Sequence, residues 1–100
     1  MQTTTEINEE QAIIRIEGRI DTMTAQDLQD VIMNTFQSCK KIELDFTKVE
    51  YISSAGLRTL LLSHKTAASK GGQLTLSHVN EMVMEVLEMT GFVNVLCIVK

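Results

Sequence analysis

Three short runs of this chain alternate apolar with polar residues, and the stretches between them space their apolar residues three and four apart. Ala12, Ile14 and Ile16 alternate with Ile13, Arg15 and Glu17; Ile42, Leu44 and Phe46 enclose Glu43 and Asp45; Leu74–Ser77 repeats the pattern in brief. A period of two marks a strand with one buried face, and a period near 3.6 marks a helix with one buried stripe. Strands reached through helices should run parallel by right-handed crossovers, and crossovers that keep moving in one direction put their helices on the same face of the sheet. The alternation itself agrees with a sheet covered mainly on one side.

Taken in order, Thr3–Asn8 and Ala12–Glu17 are expected as strands joined by a turn at Asn8-Glu9-Glu10, and Gly18 is expected to stop the second. Thr24 is the expected N-cap of the first helix, with Asp27 as its capping-box partner and Met23 and Leu28 at the staple positions. Leu28, Val31, Ile32 and Phe36 form its buried stripe, and the helix should fray near Ser38. Ile42–Phe46 is the third strand. A helix from about Ala55 to Ser69 should end where Gly71-Gly72 offer left-handed positions, ahead of the strand Leu74–Ser77. Asn80 caps a further helix with apolar Met82, Val83, Val86 and Leu87; Gly91-Phe92 should close it in a Schellman turn, and Val95–Val99 is the last strand. The order β-β-α-β-α-β-α-β predicts an α/β domain over residues 1–100 with a small mixed sheet and its helices mainly on one face.

One hundred residues can bury roughly 60–70% of the unfolded surface in a single core. The formal charge of −4 is scattered, with no basic stripe for nucleic acid, so a protein partner is expected. No apolar run spans a membrane, and Met-Gln-Thr-Thr-Thr-Glu lacks the basic and apolar regions of a signal peptide. Cys39 and Cys97 lack the companions of a metal site and read as free thiols of a reducing cytoplasm. No metal or cofactor is expected.

The chemistry concentrates at Ser53-Ser54-Ala55-Gly56, where the third strand hands over to a helix. Amide groups at a helix N-terminus lack intrahelical partners and carry about half a positive charge, so a serine there serves as a cap or as a good place for a phosphate. The residues leave both readings open. Gly56 inside the first turn costs roughly 1 kcal/mol against alanine, which suggests that another backbone or a bulky ligand comes close. Catalysis is not expected: no Gly-x-Ser-x-Gly elbow is present, His64 lies about 15 Å down the helix at 1.5 Å per residue, and His78 has no path to Ser54. Asp21 reads as a turn residue, and Met82, Met84 and Met89 as core and flank packing rather than a binding groove.

Gly18-Arg19-Ile20-Asp21-Thr22 resembles the Gly-x-Leu/Ile-Asp loop of the STAS domain, the sulphate-transporter and anti-sigma-factor-antagonist fold. Asp45-Phe-Thr-Lys-Val-Glu-Tyr-Ile-Ser-Ser-Ala-Gly-Leu57 resembles that family's Asp-Leu-x-x-Val-x-(Phe/Tyr)-(Met/Ile)-Asp-Ser-Ser-Gly-Leu signature. Gly71-Gly72 and the Leu-x-x-Thr-Gly-Phe ending at Phe92 match later landmarks, so the likeness runs the length of the chain. Ser53 stands where the family has Asp, Ala55 where it has a second Ser, and the chain stops at Lys100 without the family's usual extra C-terminal helix.

The resemblance implies an anti-sigma factor antagonist that binds an anti-sigma factor serine kinase and releases a sigma factor, until phosphorylation at Ser54 (alternatively Ser53) breaks the contact and a PP2C-type phosphatase restores it. The implied partner surface is Asp21, Thr22, Ser53, Ser54, Ala55, Gly56 and Arg58, with Gly56 admitting the partner's backbone and Leu57 anchoring the helix. A cytoplasmic monomer is expected. The alternative is a STAS scaffold or ligand-sensing module in a transporter or multiprotein complex, with no phosphate cycle.

Overall fold

The computed structural model describes residues 1–99. Strands β1 (Gln2–Asn8) and β2 (Gln11–Ile20) form a hairpin; α1 (Ala25–Phe36) leads to β3 (Lys41–Ile52) and α2 (Ser54–Ser69) to β4 (Gln73–Ser77). A third helix, α3 (Glu81–Met89), and a 3-10 turn at Phe92–Asn94 precede β5 (Cys97–Ile98). The sheet order is β1-β2-β3-β4-β5, antiparallel between β1 and β2 and parallel from β2 onward. Each crossover steps one place in the same direction, which sets all three helices on one face. Burial agrees. Ile14, Ile16, Ile42, Leu44, Phe46, Leu74 and Leu76 point into one core with Leu28, Ile32, Leu60 and Leu87, whereas Arg15 and Glu17 stand exposed on the far face. The mixed sheet with one covered face is the architecture expected from the alternating runs.

β3 is longer than its alternation suggests. Its inward residues run Ile42, Leu44, Phe46 at a spacing of two, then Val49 and Ile52 at a spacing of three. The register against β2 shifts between Arg15 and Glu17 and again between Gly18 and Arg19, each shift placing one extra residue on β3. These bulges restore the inward face after each lapse, so pairing continues where the period-two pattern stops. Gly18 does not end β2: it takes φ +107 inside the strand, beside one of the bulges, and pairing runs on to Ile20. β5 is conversely shorter than expected, because the chain after Gly91 winds into the 3-10 turn and reaches the sheet only at Cys97.

Helix ends follow their local chemistry, with one exception. The Asn80 side chain accepts from the Val83 amide at 2.9 Å and caps α3 as expected. Gly71 adopts φ +70, and the Gly71 and Gly72 amides donate to Ala68 and Ala67, the paired bonds of a Schellman motif. Gly91 is also left-handed and donates to Glu88. The exception is α1: Thr24 is already helical in its backbone and its side chain makes no cap bond, so the Thr24–Asp27 box does not form, and Met23 is 86% exposed rather than stapled to Leu28. Met82, expected among the apolar positions of α3, is exposed too; Val83 and Leu87 carry the buried stripe.

Gly72 marks the tightest join in this frame, since a Cβ there would lie 2.0 Å from the Lys40 carbonyl oxygen that also accepts the Gln73 amide. Gly72→Ala should lower the unfolding free energy by about 2 kcal/mol or more, the range of an overpacked site, read from urea melts. An unchanged midpoint would show that the α2–β4 turn can relax freely.

Candidate functional site

Parallel strands end on the same edge of a sheet, so the loops after β2 and β3 emerge side by side. Ile20 and Ile52 are register partners at the strand ends, and the Ser53 amide donates to the Ile20 carbonyl at 2.8 Å. Ser53 is extended (φ −93, ψ 175) and its hydroxyl oxygen accepts from the Gly56 amide at 3.2 Å, while its carbonyl accepts the first helical bond from Leu57. Ser53 is therefore the cap of α2. Ser54 is the first helical residue, exposed, and its hydroxyl has no hydrogen-bond partner among the described residues. No acidic side chain occupies the first turn of α2.

Gly56 corrects one expectation. It is buried, and a Cβ on it would meet Ile52 Cγ1 at 2.7 Å, Ile20 Cγ2 at 2.8 Å and the Ile20 carbonyl oxygen at 3.2 Å. The space left by the absent side chain is filled by the strand ends of the same chain, so it offers no room to a partner's backbone. Leu57 beside it is buried, anchoring the helix as expected.

Across from this turn, Asp21 organises the loop after β2. Its carboxylate oxygen accepts from the Met23 amide at 3.0 Å and the Thr24 amide at 3.1 Å, and its backbone carbonyl accepts from the Ala25 amide at 2.9 Å. In return the Thr24 hydroxyl accepts from the Asp21 amide at 2.9 Å and donates to the Arg19 carbonyl at 2.8 Å. This is a reciprocal box displaced by three residues from the one expected at Thr24, and it engages the Thr24 hydroxyl with the preceding loop instead of with its own helix. Desolvation pushes the Asp21 carboxyl up, but the Thr24 and Met23 bonds and the nearby Arg19 charge outweigh it and hold the carboxyl below its ordinary value.

Thr22, Ala55 and Arg58 line one open groove of about 440 Å³ between α1 and α2, with Ala25, Gln26 and Thr59 in its wall. The Thr59 hydroxyl donates to the Ala25 carbonyl at 3.3 Å and sets the spacing of the two helices. The structure thus gathers Asp21, Thr22, Ser53, Ser54, Ala55 and Arg58 around the carboxyl ends of β2 and β3, and leaves Gly56 beneath the surface. Sequence reading missed one neighbour: the Arg19 guanidinium lies 4.3 Å over the Tyr51 ring, both exposed and paired in register beside Asp21 and Ser53. Their alternation with inward Ile20 and Ile52 could have signalled a shared outer face.

The remaining candidates sit apart. His78 is on the open sheet face with its Nδ1 3.4 Å from Asp45, which also approaches Arg15 at 4.0 Å. Burial raises the Asp45 carboxyl, but bonds from Thr47 and the His78 and Arg15 charges more than offset it, so it stays below its ordinary value. Cys39 is buried, Cys97 half-buried, and both are free thiols. Among the described residues no group of three or more His, Cys, Asp or Glu could hold a metal ion, and no helix is long and apolar enough to cross a membrane.

Two substitutions test this geometry. Gly56→Ala should cost about 1–3 kcal/mol, as overpacking does, with Ile20 and Ile52 amide shifts moving in the NMR spectrum; a stability equal to wild type would mean the first turn of α2 is not seated on the strand ends. Asp21→Asn addresses pH. A carboxyl with a folded pKa below its ordinary 3.8 stabilises fully above that value and loses the contribution as pH falls through the folded pKa. The wild type should therefore exceed Asp21→Asn in stability by a constant margin near neutrality, and the margin should shrink below about pH 4; a margin independent of pH would remove the Asp21 carboxylate from the account.

Comparison with known proteins bears on the family and the fold. The family model described as the STAS domain matches residues 2–100. A Bordetella bronchiseptica protein that carries the provisional name anti-sigma factor antagonist BtrV is 31% identical over 81 residues, covering 80% of this chain and 70% of its own. The anti-sigma F factor antagonist of Paenibacillus polymyxa is 27% identical over 86 residues, covering 84% and 74%. Among solved structures, the anti-sigma factor antagonist SpoIIAA superimposes in its unphosphorylated form with a TM-score of 0.78 at 17% identity, over 99% of this chain and 88% of that one. The Bacillus SpoIIAA in its phosphorylated form gives 0.76 at 18% identity, over 99% and 92%. With the strand order, the Asp21 loop and the Ser53-Ser54 turn all in place, the chain belongs to the STAS domain family and, within it, to the non-enzymatic anti-sigma factor antagonists.

Proposed function

We propose that this chain is a phosphorylation-controlled antagonist: unphosphorylated, it binds an anti-sigma factor serine kinase through the surface around Asp21, Thr22, Ser53, Ser54, Ala55 and Arg58, and so frees a sigma factor. Phosphorylation of Ser54 releases the kinase, and a PP2C-type phosphatase resets the cycle. It works in the cytoplasm as a regulator of transcription, as one domain over residues 1–100. The observation that carries this reading is the division of labour in the serine pair. Ser53 spends its hydroxyl on the cap, while Ser54 presents an unengaged hydroxyl at the exposed first position of α2.

That division also favours Ser54 over Ser53 as the acceptor. A phosphate on Ser53 would disturb the bond from the Gly56 amide, whereas one on Ser54 would sit at the positive end of the helix without breaking a bond. The two forms of SpoIIAA match this fold almost equally, which supports a switch that leaves the scaffold unchanged. The phosphate brings about −1.5 to −2 charges to the contact. Roughly 4 kcal/mol of differential binding suffices for a thousandfold loss of affinity, and burying a phosphate in a contact shaped for a neutral hydroxyl is large enough to supply it.

The first test is intact-mass analysis of the protein from its native host, where a single added phosphate should map to Ser54. Ser54→Asp should abolish binding to the cognate kinase in calorimetry while circular dichroism stays native. Ser54→Ala should bind and resist labelling by kinase and ATP. Wild-type affinity in Ser54→Asp would sink the switch at this residue, and labelling that survives Ser54→Ala but not Ser53→Ala would move the acceptor.

A further inference from the structure

The residue four positions after Ser54 is Arg58, and the two occupy the same face of α2 in consecutive turns. Side chains on a helix lean toward its N-terminus, so a guanidinium at position 58 is within reach of the turn that holds Ser54. Both are exposed, and among the described residues Arg58 takes part in no ion pair or hydrogen bond. A lone cation so near a helix N-terminus works against the helix dipole, and no acidic side chain in that turn offsets it. The other cations near the site are committed or distant: Arg19 lies on Tyr51, and Lys65 is about 16 Å along the helix from Ser54 at 1.5 Å per residue.

We propose that Arg58 is the built-in counter-cation of a phosphate on Ser54, closing an i to i+4 phosphate–guanidinium pair across the first two turns of α2. The proposal rests on the reading of Ser54 as the acceptor. It deepens that reading, because modification then changes the surface twice: it adds an anion at Ser54 and withdraws Arg58 from any partner that had used it. The pair is specific to Ser54, since Ser53 lies outside the helix and five residues from Arg58. A planar guanidinium suits a phosphate with two parallel bonds, which an ammonium at the same place cannot copy.

The test uses the full chain with phosphoserine installed at position 54 during translation, so it needs neither the kinase nor proof that the cell modifies this residue. Phosphorus NMR then follows the second ionisation of the phosphate in the protein that keeps Arg58, in Arg58→Gln and in Arg58→Lys. The pair predicts a phosphate pKa lower by about half a unit with Arg58 present than in Arg58→Gln, an intermediate value in Arg58→Lys, and loss of the difference in molar salt. The same titration with phosphoserine at position 53 should be insensitive to Arg58. Coincident curves with and without the Arg58→Gln substitution, phosphoserine being at position 54 in both, would overturn the pair and leave the phosphate to the helix amides alone. Absence of phosphate on the protein from its host would instead count against the proposed function, so the two failures are separable.

Discussion

The contact on which the site depends is the seating of the first turn of α2 on the ends of β2 and β3. Ile20 and Ile52 close the strands in register, the Ser53 amide bonds to the Ile20 carbonyl, and Gly56 lies against both isoleucines with no space for a methyl group. That seating fixes where the helix begins and hence which serine caps it. It also holds the positive end of the helix beside the Asp21 loop, so the two halves of the candidate surface are positioned by one short backbone junction rather than by flexible side chains. Glycine at 56 carries an intrinsic cost in a helix, offset here by the close approach it permits.

The remaining framework serves that junction. Bulges in β3 let the strand run past the point where its alternation fails, carrying Ser53 out to the same edge as Asp21. Thr59 bonds α2 to α1, and the Schellman turn at Gly71-Gly72 returns the chain to β4 under the Lys40 carbonyl. The open face of the sheet takes no part in this junction. It is occupied by polar partners such as Ser77 with Glu43, and Asp45 with His78 and Arg15. A site at the carboxyl ends of parallel strands follows the general habit of open α/β sheets, in which loops with free amides gather at that edge.

Particular residues show what was legible before the structure. The period-two runs at Ala12–Ile16 and Ile42–Phe46 gave the inward face of the sheet correctly, and Asn80, Gly71 and Gly91 gave the helix ends, because each signal is local to a few residues. The bulged half of β3 was not legible: register against β2 makes it a strand, and register is a property of two segments. Thr24 misled for a related reason. Its hydroxyl had two neighbourhoods within reach, and it turns back to the Asp21 amide and the Arg19 carbonyl instead of forward to the amides of its own helix. The Arg19–Tyr51 stack was missed because its members are 32 positions apart in the chain and adjacent only through pairing of β2 with β3.

By itself the sequence determined an α/β chain with a mixed sheet, one covered face and a serine pair at a helix start, since these follow from hydrophobic period and turn chemistry. Its family likeness further drew attention to Asp21 and Ser54. Only the tertiary structure decided what Gly56 does and which serine is occupied. From the sequence alone, a glycine in a first turn invites a close neighbour without naming it, and either serine has the hydroxyl a cap requires. Packing of Ile20 and Ile52 under the turn assigns the glycine's space to the chain itself. The extended backbone that this packing imposes at Ser53 turns that hydroxyl to the Gly56 amide and leaves the one at Ser54 facing solvent.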